Sequence, residues 1–478
     1  MTVEGSRGER TSRSRRTVLK AGGAAIAVGL AGCTGDGGDG DGDGGDGGDG
    51  GDGGDGSDGD GGGASTDTPV QDVTISFWPA WGGYYEETFN EMVSTFEERN
   101  DHITVEMSAQ GSYRESKNAL FNAANAGDPP DVGHLDKGNA IVAKDSGFFK
   151  PVEEVWPDVD PDNYLGPAMG TSIIEGTIWS IPFNNSQIIL YYNKDHFESA
   201  GLDPETPPQS LEDLSSMANT IVDEGVADYG VSWPNHAWWI NSWLAEQEQF
   251  VSDQENGRAG EPTEVLYDSD AGQTVFDWWM NDLGDAYHNP GIEDWGSSEQ
   301  AFQNGVASMH MNSTGSLAYS LSGFEENDIN VGVGGLPVPG DRIGHSMGGA
   351  AVWVSDKDRS EAERQAVATF LEEMTGPDLQ ALYHRQTGYF PSHTESLTNL
   401  EDSGWFDDHP DTYDVARQQL DAWEEYPMNK GILMGPAFNI YEEVARQSDN
   451  MLQDKDIDQA LTDLTEYGNR ELERYERV

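Results

Sequence analysis

Tryptophan side chains beside uncharged polar residues are the first candidates for ligand contact in this sequence. Aromatic rings stack on the apolar C–H faces of sugars and polyols, and neighbouring Asn, Ser, Asp and Gln side chains can hydrogen-bond the hydroxyl groups. Most tryptophans are core residues, and for Trp239 a place in the core and a place in a ligand cleft both remain open. The tryptophans concerned lie in segments predicted as loops or loop–helix junctions: Trp78, Trp81, Trp233, Trp238, Trp239 and Trp243.

Signatures of catalysis are weak by comparison. We expect no G-x-S-x-G elbow, no H-E-x-x-H helix and no P-loop, and Gly332-Val333-Gly334-Gly335, without the context of a dinucleotide loop, is predicted as a turn. His134 and His236 could lie near a cleft, but a lone histidine is more often structural. With 87 acidic residues, a glycosidase-like carboxylate pair can be neither chosen nor excluded. We expect no enzyme, no cofactor and no metal site. The rival hypotheses are a secreted enzyme acting on polysaccharides or phosphodiesters, and a surface adhesin.

The charge balance excludes one class of partner. The chain of 478 residues carries 87 acidic against 26 basic residues, a formal net charge of -61. Such a surface repels phosphate backbones, so we expect no nucleic-acid partner. The acidic residues are interleaved with periodic apolar and aromatic positions, which argues against disorder. A halophilic surface, whose self-repulsion is screened by molar salt, explains this composition.

The first 69 residues are predicted to export and tether the protein. Arg15 and Arg16 form a twin arginine before a short apolar run, 21–30, which is too short to span a bilayer. The following Leu-Ala-Gly-Cys resembles a lipobox, so residues 1–33 are predicted to be a twin-arginine signal peptide with lipid attachment at Cys33. Residues 34–69, rich in Gly and Asp, are predicted to be a flexible tether. The protein is thus expected on the extracellular face of the cell membrane.

The remaining chain shows strand and helix periodicities in alternation. Val73, Ile75 and Phe77 alternate with polar residues, as in a strand, and the apolar residues from Tyr85 to Phe96 recur at helical spacing. Strands follow at 103–107 and 131–135, with helices near 116–126 and 139–145, and further helices near 362–374 and 457–467. This order predicts an α/β fold with a parallel sheet, which binds ligands beyond the carboxyl ends of its strands.

Several segments resemble one known family. They are Ile181-Pro182-Phe183-Asn184-Asn185-Ser186, Leu190-Tyr191-Tyr192-Asn193-Lys194-Asp195, Ser313-Thr314-Gly315, Gly348-Gly349-Ala350 and Gln386-Thr387-Gly388-Tyr389-Phe390-Pro391. Their order and content are similar to the extracellular solute-binding proteins (family 1) of carbohydrate-type ABC importers, and within that family to the binders of glycerol-3-phosphate.

The resemblance implies a type II periplasmic-binding fold of two α/β lobes with a hinge and an interlobe cleft. The two-lobed domain would occupy residues 70–478. Lobe 1 is expected at about 70–182 plus 312–355, and lobe 2 at about 183–311 plus 356–478. The implied function is capture of a small molecule without chemistry, followed by docking on an ABC permease and its ATPase. We expect a monomer.

The resemblance also implies a set of ligand contacts. Tyr113 matches a phosphate-bonding tyrosine, Asp136 matches a glutamate that accepts from glycerol hydroxyls, and Trp239 matches a stacking tryptophan. The further candidates are hydroxyl groups, a close backbone approach and one aromatic residue beside the first strand: Ser186, Ser313, Thr314, Tyr389, Gly349 and Trp78.

One departure from the family pattern bears on the ligand. The arginine that pairs with the phosphate should fall within 430–435, and this sequence has Leu433 there. A buried phosphate needs fixed positive charge or several donors. We therefore favour a neutral sugar, oligosaccharide or polyol as the ligand, with glycerol-3-phosphate or a glycerophosphodiester as the alternative.

Overall fold

The computed structural model describes residues 71–475. The predicted signal peptide with Arg15, Arg16 and Cys33, and the whole of the predicted tether, lie outside this range. Among the described residues, no helix combines the length and apolar character needed to cross a membrane.

The described chain forms many short strands. They are β1 Val73–Trp78, β2 Ile103–Met107, β3 Val132–Asp136, β4 Phe149–Lys150, β5 Ile173–Ile174, β6 Thr177–Ile178, β7 Ser180–Ser186, β8 Ile188–Asn193, β9 Tyr229–Ser232, β10 Tyr287–His288, β11 Ala307–Ser313, β12 Val331–Gly335 and β13 Gly348–Ser355.

Helices separate most of these strands. They are α1 Tyr84–Arg99, α2 Tyr113–Ala126, α3 Ala140–Ser146, α4 Val152–Val155, α5 Gly166–Met169, α6 Lys194–Ser199, α7 Leu211–Asp223, α8 Ala237–Ala245, α9 Asp253–Gly257 (a turn with left-handed residues), α10 Asp270–Asp277, α11 Trp295–Gln303, α12 Leu317–Glu326, α13 Glu361–Met374, α14 Pro377–Thr387, α15 Thr394–Asp402, α16 Trp405–Asp408, α17 Tyr413–Asp421, α18 Ala437–Leu452 and α19 Ile457–Tyr475.

The first sheet has six strands in the order β2-β1-β3-β13-β4, with β7 also pairing with β13. β1 runs parallel to β2 and β3, as the alternation of strands and helices predicted, whereas β13 is antiparallel to its neighbours. α1, α13 and α14 cover one face through a cluster that includes Phe77, Phe89 and Phe370. α2 and α3 cover the other face. We call this sheet and its helices the first lobe.

The second sheet has five strands in the order β10-β9-β11-β8-β12. Its largest core cluster is rich in tryptophan and joins the sheet to α7, α8, α10, α18 and α19. α12 and α15–α17 pack on the other face. We call this sheet and these helices the second lobe. The chain passes from the first sheet to the second at Gln187, and returns between β12 and β13.

The arrangement differs from the expected lobe boundaries in two places. The segment 312–355, expected in lobe 1, contains β12, which pairs with β8 in the second sheet. The segment 356–478, expected in lobe 2, contains α13 and α14, whose apolar residues cover the first sheet. Both differences have the same cause. A strand or helix packs on the sheet that its apolar face fits, and that sheet can be formed by residues distant in the sequence.

The glycine-rich segment 332–335 is a strand, so its prediction as a turn was wrong. It belongs to β12, which pairs antiparallel with β8. A Cβ on Gly332 would lie 2.2 Å from the ring of Tyr192. Glycine is therefore required here because an aromatic side chain of the neighbouring strand lies across the backbone.

Candidate functional site

Tyrosine hydroxyl groups form the centre of a polar cluster on the first lobe. Tyr113 begins α2, and Tyr389 follows the left-handed Gly388 that ends α14. Their hydroxyl groups lie 3.4 Å apart, and the Asn184 Nδ2 donates a hydrogen bond of 3.3 Å to the Tyr113 hydroxyl. The ring of Trp81 lies 4.8 Å from that of Tyr113. The structure thus brings together two predicted contacts, Tyr113 and Tyr389, with Asn184 and Trp81.

This cluster has unused hydrogen-bonding capacity. The Asn184 Oδ1 is buried and has no partner among the described residues. The indole N–H of Trp81 lies near the tyrosine hydroxyl groups but meets neither with hydrogen-bond geometry. Buried polar atoms are normally satisfied, so these two atoms could bind a hydroxylated ligand.

Asp136 ends β3 and faces the second lobe. Its Oδ1 accepts a hydrogen bond of 2.7 Å from the backbone N–H of Gly138. Burial raises the pKa of Asp136 to about 6, against the lowering effects of that hydrogen bond and of two nearby lysines. A Cβ on Gly138 would lie 3.1 Å from Phe438 and 3.3 Å from Tyr441, both on α18. Asp136 is therefore a carboxylate placed where the two lobes meet.

Positive charge beside Asp136 is limited. The Lys137 Nζ is buried and donates a hydrogen bond of 2.8 Å to the Asn185 Oδ1. Burial lowers the pKa of Lys137 to about 7. The pKa of Lys117 is also lowered, chiefly by burial. The cations beside Asp136 are therefore two lysines whose charged forms burial disfavours, and no arginine takes part in the described contacts of this carboxylate.

Trp238 supplies the facing surface from the second lobe. A Cβ on Gly348 would lie 2.8 Å from the Trp238 ring and 3.3 Å from the Ser186 Oγ. The ring is half-buried, and its indole N–H has no hydrogen-bond partner in the part of the chain that the structure describes. Trp238 therefore lies against the end of the first sheet with an apolar face and an unused donor.

Two predicted tryptophans lie in apolar surroundings, apart from the groups described above. Trp239 is fully buried in the core of the second lobe, 5.1 Å from the ring of Trp295. Trp78 packs against the apolar cluster beneath α2. Consecutive helical residues point about 100° apart, so Trp238 and Trp239 lie on different faces of α8. The sequence drew attention to Trp81 and Trp238 as well, but gave no basis for choosing them.

Four predicted contacts lie near Gln187, where the chain passes from the first sheet to the second. They differ in whether their polar groups already have hydrogen-bond partners. The Ser186 hydroxyl makes no hydrogen bond to any described residue, so it is available. Gly349 has φ +104°, and a Cβ there would lie 2.0 Å from the Asn184 carbonyl oxygen, so glycine is required by the backbone itself. The Ser313 Oγ accepts from the N–H of Gly315. The Thr314 Oγ1 accepts from Gln187 at 3.2 Å and is fully buried.

Leu433 does not face the cluster around Tyr113. It is buried with Leu120, Leu135 and Trp353 in the apolar cluster of the first lobe. The residue of this region that lies beside Asp136 is Tyr441, one turn into α18. Sequence reasoning missed Tyr441, although the helical periodicity of this segment could have placed it on the face of Phe438.

An arginine of the first lobe joins two carboxylates of the second. The Arg114 Nη1 lies 2.7 Å from the Glu442 Oε1, and its Nη2 lies 3.1 Å from the Glu293 Oε2. All three side chains are exposed, so the group lies at the rim of the cleft. These two ion pairs can form only while the two lobes are close together.

The letters G-x-S-x-G occur at Gly344–Gly348. A nucleophile elbow needs a turn from a strand into a helix. Here the segment precedes β13 instead, and the adjacent His345 lies 3.1 Å from the buried Glu246. This segment therefore lacks the backbone context of an elbow.

Comparison with known proteins identifies the fold and family. Residues 91–413 match the family described as "Bacterial extracellular solute-binding protein". The glycerol-3-phosphate-binding periplasmic protein UgpB of Salmonella typhimurium is 28% identical over 433 residues, covering 87% of this chain and 96% of the relative. Its counterpart from Escherichia coli K12 is 27% identical over 422 residues, covering 84% and 93%.

Solved structures agree on the architecture. UgpB from Mycobacterium tuberculosis, in complex with glycerophosphocholine, has a TM-score of 0.69 and 20% identity, and covers 85% of this chain and 100% of its own. The GacH receptor of Streptomyces glaucescens has a TM-score of 0.69 and 19% identity, covering 84% and 98%. These structures have the two-lobed periplasmic-binding fold, as the sequence predicted. The chain belongs to the family of bacterial extracellular solute-binding proteins.

Proposed function

We propose that this protein captures a neutral sugar, oligosaccharide or polyol and delivers it to the permease of an ABC importer. The observation that carries the proposal is the facing pair of surfaces: hydroxyl and amide groups around Tyr113 on the first lobe, and the Trp238 ring on the second. Aromatic faces and hydrogen-bonding side chains together suit polyhydroxylated rings.

The absence of an arginine from the described contacts of Asp136 favours a neutral ligand. Leu433 lies in an apolar cluster, and the pKa of Lys137 is lowered to about 7 by burial. A phosphate dianion buried there would have to draw its counter-charge from two lysines, Lys117 and Lys137, whose charged forms burial disfavours. Glycerol-3-phosphate or a glycerophosphodiester remains the second candidate, because the relatives with known ligands include binders of the first and a complex with the second.

Ligand contacts made to both lobes would favour the closed arrangement, in which the permease and its ATPase recognise the protein. We propose export by the twin-arginine route, lipid attachment at Cys33 and location on the outer face of the membrane, as the sequence indicates. The same proposal includes a monomer without catalytic activity. A receptor returns its ligand unchanged, which distinguishes it from the rival enzyme.

Calorimetric and tryptophan-fluorescence titrations of the full chain in molar KCl test the ligand class. The panel contains glycerol-3-phosphate, glycerophosphocholine, maltose, trehalose, glucose and glycerol. We expect micromolar or tighter binding of a neutral sugar, with one ligand per chain and no turnover. Tight binding of only the phosphorylated compounds would replace our ligand with the second candidate. Chemical conversion of any bound sugar would contradict the receptor function itself.

A further inference from the structure

A cavity of about 280 Å³ lies between helices of the two lobes and is separate from the candidate site. Tyr113, Asp136 and Trp238 do not line it. From the first lobe it is lined by Lys117 of α2 and by Asn139, the residue before α3. From the second lobe it is lined by the start of α18 and the end of α19. Ligand pockets begin at roughly 300 Å³, so this cavity suits a small molecule.

Lys117 brings a positive charge without a counter-charge to the cavity. Its Nζ makes no hydrogen bond and no ion pair with any residue of the described chain, and it lies 5.6 Å from the centre of the Phe438 ring. Burial and the nearby Arg114 lower the pKa of Lys117. An anion beside this ammonium group would offset the cost of burying it.

The lack of a partner sets Lys117 apart from the other basic residues. Every other lysine and arginine between residues 71 and 475 has at least one hydrogen-bond or ion-pair partner. In a chain with 87 acidic and 26 basic residues, a carboxylate is seldom far from a cation. An unpaired lysine at a cavity wall therefore indicates that its partner is a bound molecule.

The carboxamide of Asn139 is a second group without a partner. Asn139 is 1% exposed, and its Oδ1 is buried without a hydrogen bond to any described residue. Its side chain does not cap α3 either. Buried amide groups are normally satisfied. Because a carboxamide has both donors and an acceptor, Asn139 could donate to a carboxylate oxygen and accept from a hydroxyl group beside it.

The start of α18 adds partial positive charge at the same wall. No side chain caps this helix of 16 residues, and its first turn has no acidic residue. Its first backbone hydrogen bond runs from the N–H of Ile440 to the carbonyl oxygen of Pro436, which leaves the N–H groups of 437–439 without a backbone partner. Pro436 and Phe438 line the cavity. The positive end of a helix dipole favours an anion.

The charged side chains that line the cavity have a positive balance. Glu471 is the acidic one, and its carboxylate already accepts hydrogen bonds from Arg474 and, at 3.0 Å, from the Asn439 Nδ2. Lys117 and Arg474 are the two basic ones, so the lining side chains carry one net positive charge. The whole chain has a formal net charge of -61. The wall is therefore suited to an anion of single charge.

We propose that this cavity binds a small carboxylate with a hydroxyl group on the neighbouring carbon. The carboxylate would pair with the Lys117 ammonium group and face the start of α18, and the hydroxyl group would hydrogen-bond the Asn139 carboxamide. A phosphate dianion would exceed the single positive charge of the wall. Because Lys117 and α18 belong to different lobes, the bound carboxylate would contact both. The site does not depend on which ligand occupies the main cleft.

Saturation-transfer NMR of the full chain in molar potassium fluoride tests the proposal at constant ionic strength. The probes are lactate and acetate, and the controls are lactamide and acetamide, which have nearly the same shapes without the charge. We expect saturable binding of lactate with a Kd of about 1 mM or tighter. Acetate should bind severalfold more weakly because it lacks the hydroxyl group, and the two amides should not bind.

Two variants locate the bound carboxylate. Lys117→Gln removes the charge from a side chain without described partners and should weaken lactate binding by at least about tenfold. Val142→Trp fills the cavity from a half-buried lining position and should abolish binding. Lys144→Gln is the matched control, because Lys144 is a half-buried lysine that lies 3.4 Å from Glu175 and lines a different cavity. It should leave the affinity within about twofold of the wild type.

Each outcome decides for or against the site. Loss of binding in Lys117→Gln and Val142→Trp, with binding retained in Lys144→Gln, supports it. The proposal is wrong if the wild type does not bind lactate, or if it binds lactamide equally well. Binding that Lys117→Gln leaves unchanged, or that Lys144→Gln weakens equally, lies elsewhere and overturns the assignment. No sugar is present in these titrations, so their result leaves the proposed function untouched.

Discussion

The two walls of the cleft differ in how their groups are held. On the first lobe, Tyr113, Tyr389 and Asn184 contact one another, so their positions are fixed within a single lobe. On the second lobe, the Trp238 ring packs beside Trp239 and Trp295 of its own lobe and also meets Ser186 and Gly348 across the boundary. The polar groups of the first wall are therefore held by one another within a single lobe, whereas the Trp238 ring adds contact area across the boundary.

This difference suggests a division of labour. The polar wall should recognise hydroxyl positions and so determine which ligand docks first. The aromatic wall should add most of the binding free energy when the lobes close, because large aromatic faces provide contact area at low entropic cost. Substitutions in the two walls should accordingly affect different steps.

Removing the Trp238 ring should have the largest effect. Trp238→Ala is expected to weaken the best sugar ligand by about 30-fold, near 2 kcal/mol, chiefly through faster dissociation. Stopped-flow fluorescence and calorimetry measure both quantities. Trp239→Phe is the control, because Trp239 is a core residue; it should lower the unfolding temperature and change affinity by less than about threefold. A larger loss of affinity in Trp239→Phe than in Trp238→Ala would reverse the assignment of the two tryptophans.

Replacing Asp136 should have the second-largest effect on ligand affinity. The wild-type affinity should also depend on pH through this carboxyl group. The carboxylate accepts hydroxyl hydrogen bonds, so affinity should fall as the pH drops below about 6, the raised pKa of Asp136. Asp136→Asn should weaken binding by roughly tenfold at pH 8 and remove this dependence. Asp128→Asn, which changes an exposed carboxylate of the same lobe, is the control. An unchanged pH profile in Asp136→Asn would remove Asp136 from the site.

Asp136→Asn, which should weaken ligand binding, should increase the stability of the ligand-free protein. Because the folded-state pKa of Asp136 is above its ordinary value, its contribution to stability is fully present below that ordinary value and is lost as the pH rises through about 6. Asp136→Asn should therefore make the ligand-free protein more stable at pH 8 than the wild type. Thermal unfolding at pH 5 and pH 8 measures the difference, which should be larger at pH 8.

Of the six strands of the first sheet, the sequence predicted β1, β2 and β3, together with the helices between them. β1, α1, β2 and α2 follow the predicted alternation, because strand and helix periodicities depend on near neighbours in the chain. The lobe boundaries depend on distant pairings instead. Nothing local in the glycine-rich β12 indicates that it pairs with β8 and not with the first sheet.

The candidate site was predictable as a set of segments but not residue by residue. Tyr113 and Tyr389 lie together, with Asp136 close enough to influence Tyr389, and each is at the end of an element of the first lobe. The choice between Trp238 and Trp239 depends on the rotation of α8 about its axis, which packing determines. The same holds for Tyr441, whose direction follows from the position at which α18 begins.

Replacing Arg114 should have the smallest effect on ligand affinity, and the size of that effect should depend on the salt concentration. Its contacts with Glu293 and Glu442 cross the cleft at the exposed rim, where each ion pair contributes about 0.2–1 kcal/mol. Arg114→Ala should therefore weaken ligand binding by about two- to fivefold in low salt. In molar KCl, where the screening length is about 3 Å, the difference should nearly vanish.

Arg364→Ala provides the matched control for Arg114. Arg364 is an exposed arginine that pairs with Glu361 three residues earlier in α13, within a single lobe. Its removal should change affinity equally little at all salt concentrations. Small-angle scattering of the ligand-free protein adds a second readout: Arg114→Ala should increase the radius of gyration in low salt, and Arg364→Ala should not. If the two variants behave alike in both measurements, the ion pairs at the rim do not help to close the lobes, and closure depends on the aromatic wall and the ligand.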